Sequence, residues 1–539
     1  MNSKEQKKRN DSPRTILKLS SLAVMALLLF SGSYMGLTWV HAAGSPAILH
    51  GPTILSGTAT NAKEPAVQTS ADGTYVYVAW TQGGGGIYFT SSSNGGASFA
   101  PPYKISTSKG TSQFPVMITG DGYQSVNAKD VYVAWAQSIS GSLQIFVASS
   151  TNNGAKGSWT VTQVSSTGGI TPALAASGSY VYVTWYQTTS CPETALNHLN
   201  IATGLGQNGC IYVDSSSDNG MTWPTSNRVE LNPSTNGEAQ VVASGSYVYV
   251  AADGQYFESY GITTSTWYGN STTLTGWTTP EDVYGFYSYD PSNPSQSCFS
   301  FPQPTGCIIS FGREPWIAAS GLDVYMTWEA FNLSSTSALY SDYGITSTDG
   351  GVTWYPGTCN AVTCPGSQLT IFPPVINNPT QQAQFSMSKQ APDVWEPENA
   401  AMGSSAFLTF HSLKGQGIFM TSTTNDGGSW TKPVQVNTGM KGTSAFAHVF
   451  TSDGTNVWVM WGQKLSGKST AWNAYISYSA DSGTTWSAPL DISNNAAGVA
   501  AGNQDVTLFW VSSIGATCFA VYTYTNGGTS QVWFTAITG

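Results

Sequence analysis

Charge is scarce in this sequence: Asp, Glu, Lys and Arg make up 9% of its 539 residues, against roughly a quarter in an ordinary soluble domain. Helix-building residues are also thin on the ground. Gly, Ser, Thr and aromatic residues fill the places that Leu, Glu and Lys would hold in a helical protein, which excludes a helical bundle. Six basic residues (Lys4, Lys7, Lys8, Arg9, Arg14 and Lys18) fall within the first 18 positions, and the rest of the chain carries 13 basic against 27 acidic residues, a net −14. Such a body has no basic stripe for phosphates, which argues against nucleic acid and anionic lipid surfaces as partners. There is no CxxC pair and no histidine-rich cluster, so a zinc site is not expected. His50, His198, His411 and His448 have no nucleophile-elbow sequence near them, and Ser/His/Asp hydrolysis is unsupported.

What is present is aromatic and turn-rich: 19 Trp, 27 Tyr and 57 Gly. The aromatics supply ample material for a core and exclude disorder for most of the chain. The basic head precedes an apolar run, 22–30, and then His41-Ala42-Ala43, a layout that reads as an export signal over residues 1–43. The uncharged stretch 19–40 is also about long enough to span a bilayer, so an uncleaved anchor is the rival and the only expected membrane contact. Either reading places residues 44–539 outside the cytoplasm, secreted or tethered to the outer face of the membrane. Six of the seven cysteines form close sequence pairs, Cys191 with Cys210, Cys298 with Cys307, and Cys359 with Cys364. Three disulfides clipping loops are expected from that proximity, with Cys518 a buried free thiol.

Self-similarity organises the remainder. An apolar strand, a turn with Gly or Asp, and an alternating strand ending in an aromatic residue recur at 64–80, 172–185 and 314–328. Weaker copies begin at Phe114, Glu238, Glu396 and Phe446, and a last one spans 508–522, which makes eight. A second unit, Ser-x-Asp-x-Gly-x-Thr-Trp, follows at 216–223, 347–354 and 479–486, with degenerate forms at 94–99, 152–159 and 425–430 and only Trp277 left in the fourth copy. Asp218, Asp349 and Asp481 are suited to bracing a tight turn, the Gly to a positive φ, and Trp223, Trp354 and Trp486 to packing between sheets. These are structural residues.

The second unit resembles the Asp box, or BNR repeat, of the sialidase-like β-propellers. That resemblance implies an all-β fold, a single ring of four-stranded blades over residues 44–539. Eight blades follow from the count of copies, with seven as the alternative should the last copy only cap the ring. The last copy offers three strands, so residues 47–57 are expected to supply the fourth and close the ring. A monomer is expected.

In such a ring, residues entering the inner strand and leaving the second strand share one face, the ligand face of relatives. Here that face would gather Lys63, Glu64, Glu238, Arg313, Glu314, Glu396 and Glu398 with Asp253, Glu329 and His411. Glu314, Glu329 and Glu396 are the candidate catalytic residues, because glycoside hydrolysis needs two carboxyl groups a few ångströms apart. Arg313, Glu398, Asp253, Trp316 and Trp395 are the ligand-binding candidates, the tryptophans offering faces to sugar rings. The same carboxylates would suit Ca²⁺ or simply form a solvated rim; no other metal or cofactor is expected. The long segments 284–312 and 373–395, with the Cys191–Cys210 loop, are expected to form a lid. Resemblance to sialidases also implies three arginines gripping a substrate carboxylate, but beyond the signal only Arg228 and Arg313 exist, and Arg228 is expected on an outer strand. The expected function is therefore a module binding a glycan or an extracellular protein, with a glycoside hydrolase other than a classical sialidase as the alternative.

Overall fold

The computed structural model describes residues 44–57, 61–107, 110–120, 129–166, 168–188, 210–233, 239–258, 261–271, 277, 281–284, 287–289, 308–334, 338–352, 394–412, 417–440, 442–465, 472–493, 505–526 and 528–539. Residues 1–43, Trp354 and Cys191, Cys298, Cys307, Cys359 and Cys364 lie outside them. Among the described residues the strands form eight four-stranded sheets, antiparallel throughout. Their inner strands are Lys63–Thr69, Ser112–Thr119, Gly169–Ser177, Ala239–Ser244, Ile308–Ser320, Val394–Met402, Gly442–Ser452 and Asp505–Ile514, taken below as heading blades 1 to 8. Each lies beside the next and the eighth returns to the first, which is a closed β-propeller.

Closure comes from the chain's two ends. Ala47–Ile54 pairs with Thr529–Thr538 as the outer strand of blade 8, and the seam continues as Leu55 N–H donates to Val532 O (2.9 Å) and Ala62 N–H to Ser530 O (2.9 Å). Blade 5 departs from the plan. Tyr287–Tyr289 pairs along the inner side of Ile308–Ser320, while any outer strand beyond residue 352 falls outside the described residues.

The second strands show why the repeat reads as it does. In blade 1 every residue from Val76 to Trp80 is buried, because both faces of the sheet are covered by neighbouring blades. Alternation then sorts side chains into two cores: Tyr77 and Ala79 pack forward against Val131, Val133 and Trp135 of blade 2. Val76, Val78 and Trp80 pack backward against Phe519, Val521 and Phe534 of blade 8. Tyr132 and Trp135 repeat the arrangement one blade on. The forward tyrosine also carries a polar tip, and Tyr77 Oη donates to Asn153 Oδ1 in blade 2 at 2.9 Å.

The outer hairpins have the geometry expected of the second repeat unit. Ser216 Oγ donates to Asp218 Oδ1 (2.7 Å) and accepts from Gly220 N–H (3.0 Å), while Thr222 donates its N–H and Oγ1 to the two carboxylate oxygens (2.9 and 2.6 Å). The Ser479–Asp481–Thr485 hairpin repeats this. Gly220 has φ +72° and the residue before it, Asn219, +57°; Ser482 and Gly483 (+55°, +80°) and Asp426 and Gly427 (+55°, +79°) form the same tandem. A Cβ on Gly220 would stand 2.2 Å from Ser149 Oγ of blade 2. The glycine thus serves two ends, a left-handed turn and close approach to the preceding blade. Trp223 packs backward in the same way, against the blade 2 cluster containing Tyr132 and Val147.

Candidate ligand-binding mouth

The mouth is built from a β-bulge that recurs at the head of the inner strands. Two residues of the inner strand face one of its partner between Lys63 and Ala66, Gln113 and Val116, Ile170 and Ala173, Arg313 and Trp316, and Trp395 and Glu398. The skipped pair ends in proline each time (Pro65, Pro115, Pro172, Pro315, Pro397). Proline has no N–H to leave unpaired, so the bulge costs less there. The residue before it takes a left-handed conformation in blades 1 to 3: Glu64 at φ +56°, Phe114 at +55° and Thr171 at +48°. For side chains of this bulk such a backbone costs about 1–3 kcal/mol and persists only where the surroundings impose it.

Glu64 shows what a carboxylate at this position reaches. It is 8% exposed, and its Oε2 accepts from Thr81 Oγ1 of its own blade and from Phe114 N–H of the next, both at 2.8 Å. Lys63 Nζ closes on Oε1 at 2.9 Å. Glu64, expected on the open rim, is therefore a clasp between blades 1 and 2.

The same three backbone positions in blades 5 and 6 are Glu314 in the Glu64 position, Glu329 in that of Thr81 and Glu396 in that of Phe114, and Arg313 stands where Lys63 does. Arg313 is paired with Glu329 across the two inner strands of blade 5, a Cα separation of about 5 Å. Register thus gathers Arg313, Glu314, Glu329 and Glu396 at one junction. Trp395 pairs with His411 and Glu398 with Thr409 in blade 6; Glu398 is half-buried, as is Trp316. Asp253 pairs with Thr266 in blade 4, one blade upstream. Blades 4, 5 and 6 hold all eight catalytic and ligand-binding candidates.

Two long ribbons, not foreseen in the sequence as strands, border this junction. Tyr247–Glu258 and Gly261–Ser271 of blade 4 stay paired for six residues beyond the point where Ala252 meets the inner strand. In blade 5, residues 308–312 continue paired with 330–334 past Arg313. Of the expected lid segments 284–312 and 373–395, residues 285–286, 290–307 and 373–393 lie outside the described residues, while the described remainder is strand. A further residue missed in the sequence holds blades 5 and 6 together: Asn399 Nδ2 donates to Trp316 O (3.1 Å), Tyr325 O (3.3 Å) and Thr327 Oγ1 (3.0 Å). Its signal, a lone Asn in an apolar strand, is faint.

His411 sits beneath this junction, 3% exposed, and burial lowers its pKa to about 4, so it is neutral at pH 7. Arg228 is elsewhere. It ion-pairs with the fully buried Asp214 (Nε to Oδ2, 3.2 Å), donates to Val164 O, and lies 5.5 Å over the Trp185 ring, all within blades 2 and 3. Cys210 is disulfide-bonded, and Cys518 is free and buried, its thiol pushed well up by desolvation. Among the described residues, no three His, Cys, Asp or Glu are placed to hold a metal ion, and no helix is long and apolar enough to cross a membrane.

No protein-family model and no curated protein matches the chain. Among solved structures it is similar to a protein of unknown function from Dyadobacter fermentans (12% identity, 92% of this chain and 99% of that one, TM-score 0.37). It is similar as well to a PL25 ulvan lyase bound to a GlcA–Rha3S saccharide (8%, 92% and 95%, TM-score 0.45). A third likeness is to Trypanosoma rangeli sialidase in complex with the inhibitor DANA (9%, 81% and 56%, TM-score 0.33).

Proposed function

We propose that this protein is a secreted or surface-tethered propeller that binds a glycan at the mouth formed by blades 4 to 6. The observation that carries the reading is the register that pairs Arg313 with Glu329 and sets Glu314 and Glu396 at adjoining bulges. One guanidinium and several carboxylates would supply donors and acceptors for sugar hydroxyls, and Trp316 and Trp395 would supply apolar faces. Asp253 and Glu398 extend the polar rim. An extracellular protein is the other ligand class this mouth would take.

A glycoside hydrolase is the second reading, favoured by carboxylates on neighbouring bulges. A classical sialidase is disfavoured because Arg228 is engaged by Asp214 and Val164 O, which leaves Arg313 for a clamp on a substrate carboxylate that needs several charge-assisted bonds. The test is retention of the purified protein on a glycan array beside turnover of fluorogenic glycosides. Arg313→Ala and Glu396→Ala are expected to abolish retention with the melting curve unchanged; release of aglycone by the wild type, lost in Glu314→Gln or Glu396→Gln, would establish the hydrolase instead. Retention lost in EDTA and restored by Ca²⁺ would assign the carboxylates to a cation.

A further inference from the structure

We infer that Phe114 is a stacking platform for a neutral sugar ring on blade 2, an inference that rests on the glycan reading above. Phe114 is 50% exposed at the mouth end of an inner strand, and it joins none of the hydrophobic clusters that hold the described blades together. Its backbone sits at φ +55°. The contact that imposes this is visible: the N–H of Phe114 donates to Glu64 Oε2, and Glu64 is itself fixed by Thr81 and Lys63.

Glu64 and Thr171 share the conformation in the flanking blades, so the bulge goes with the strand head and not with the phenylalanine side chain. It does not require phenylalanine. Asn or Gly would satisfy a left-handed backbone at lower cost. A bulky apolar side chain kept exposed in a strained, rigid setting fits a binding role, since the ordering of the platform is complete before the ligand arrives. The flat face of phenylalanine matches the C–H face of a pyranose. Lys63, 53% exposed, already neutralises Glu64, so the carboxylate that clasps the Phe114 backbone leaves no unpaired charge of its own, and the pair calls for no anionic partner.

The experiment compares wild type, Phe114→Asn, Phe114→Ala and Phe114→Trp for retention on immobilised neutral gluco-, galacto- and manno-oligosaccharides, with anionic oligosaccharides alongside, and records melting temperatures. The wild type is expected to be retained by a neutral series and Phe114→Trp to keep that retention. Phe114→Asn and Phe114→Ala should weaken it about tenfold or more, while Phe114→Asn melts at the wild-type temperature or slightly above. Undiminished retention by Phe114→Asn, or a lowered melting point in that variant, would overturn the inference, the second by showing that the ring serves the fold. Retention of anionic glycans alone would also overturn it and leave the mouth of blades 4 to 6 standing. Loss in Phe114→Asn with full retention in Arg313→Ala would support Phe114 and remove the other site.

Discussion

Two buried groups set opposite pH dependences, and each is open to a direct test. Asp214 is fully buried, and desolvation raises its pKa to about 6 despite the Arg228 guanidinium at 3.2 Å. With the folded value above the unfolded one, the native state binds the extra proton, so this group's cost to stability shrinks as pH falls from 6 towards 3.8. Arg228→Met leaves the carboxylate unpaired; we expect a loss of about 3 kcal/mol at pH 7, narrowing below pH 6 as the carboxyl takes a proton. Denaturant titrations at pH 7 and pH 5 check this, and an equal loss at both would contradict it. His411 runs the other way. Its folded pKa of about 4 lies below the unfolded 6.5, so stability is fully present above pH 6.5 and is lost as pH falls towards 4, by about 3 kcal/mol. Subtracting the pH profile of His411→Gln from that of the wild type should isolate this slope.

At the scale of the strand and hairpin, the double left-handed turn is the feature on which blade packing depends. Gly220→Ala places a Cβ at φ +72° and 2.2 Å from Ser149 Oγ, and is expected to cost well over 1 kcal/mol. Asn219→Gly, at a position that already favours a left-handed backbone, should be near neutral; thermal melts of the pair distinguish close approach from mere turn preference. The hairpins and the second strands were legible in the sequence because their signals are local, and the closing strand because the last copy was one strand short. Asp, Gly and Trp recur at fixed spacing, and Tyr-Val-Tyr-Val-Ala-Trp alternates in two directions at once. The bulge was half legible: Glu64-Pro65 and Arg313-Glu314-Pro315 marked the strand heads, and a proline inside a strand signals a bulge. Its left-handed backbone was not, since the clasp by Glu64 comes from a different blade. The blade 4 ribbon escaped because residues 253–266 lack clean alternation. For the site, the sequence marked strand heads that the register brings together on blades 4 to 6, but it put Glu64 on the rim, whereas the neighbouring blade's N–H draws it inward.

For the molecule as a whole, the closure between residues 47–54 and 529–538 joins the two ends of the chain in one blade and covers the Thr529–Thr538 edge. Removing residues 44–57 should open blade 8, expose the Thr529–Thr538 edge and produce self-association in size-exclusion chromatography with a broadened, lowered thermal transition. A monomer with an unaltered sharp melt would show that the ring holds without its seam. An extracellular setting predicts that mass mapping of the non-reduced protein finds Cys191–Cys210, Cys298–Cys307 and Cys359–Cys364, with Cys518 alkylated only after unfolding.

The proposed mouth holds a sugar and leaves it intact. The direct measurement incubates purified wild-type protein with the oligosaccharide it retains best, recovers the ligand, and weighs both by mass spectrometry. The expected result is quantitative recovery of unchanged oligosaccharide together with retention that disappears in Arg313→Ala. Cleaved products that form with wild type and vanish in Glu314→Gln or Glu396→Gln would contradict it and make this propeller an enzyme.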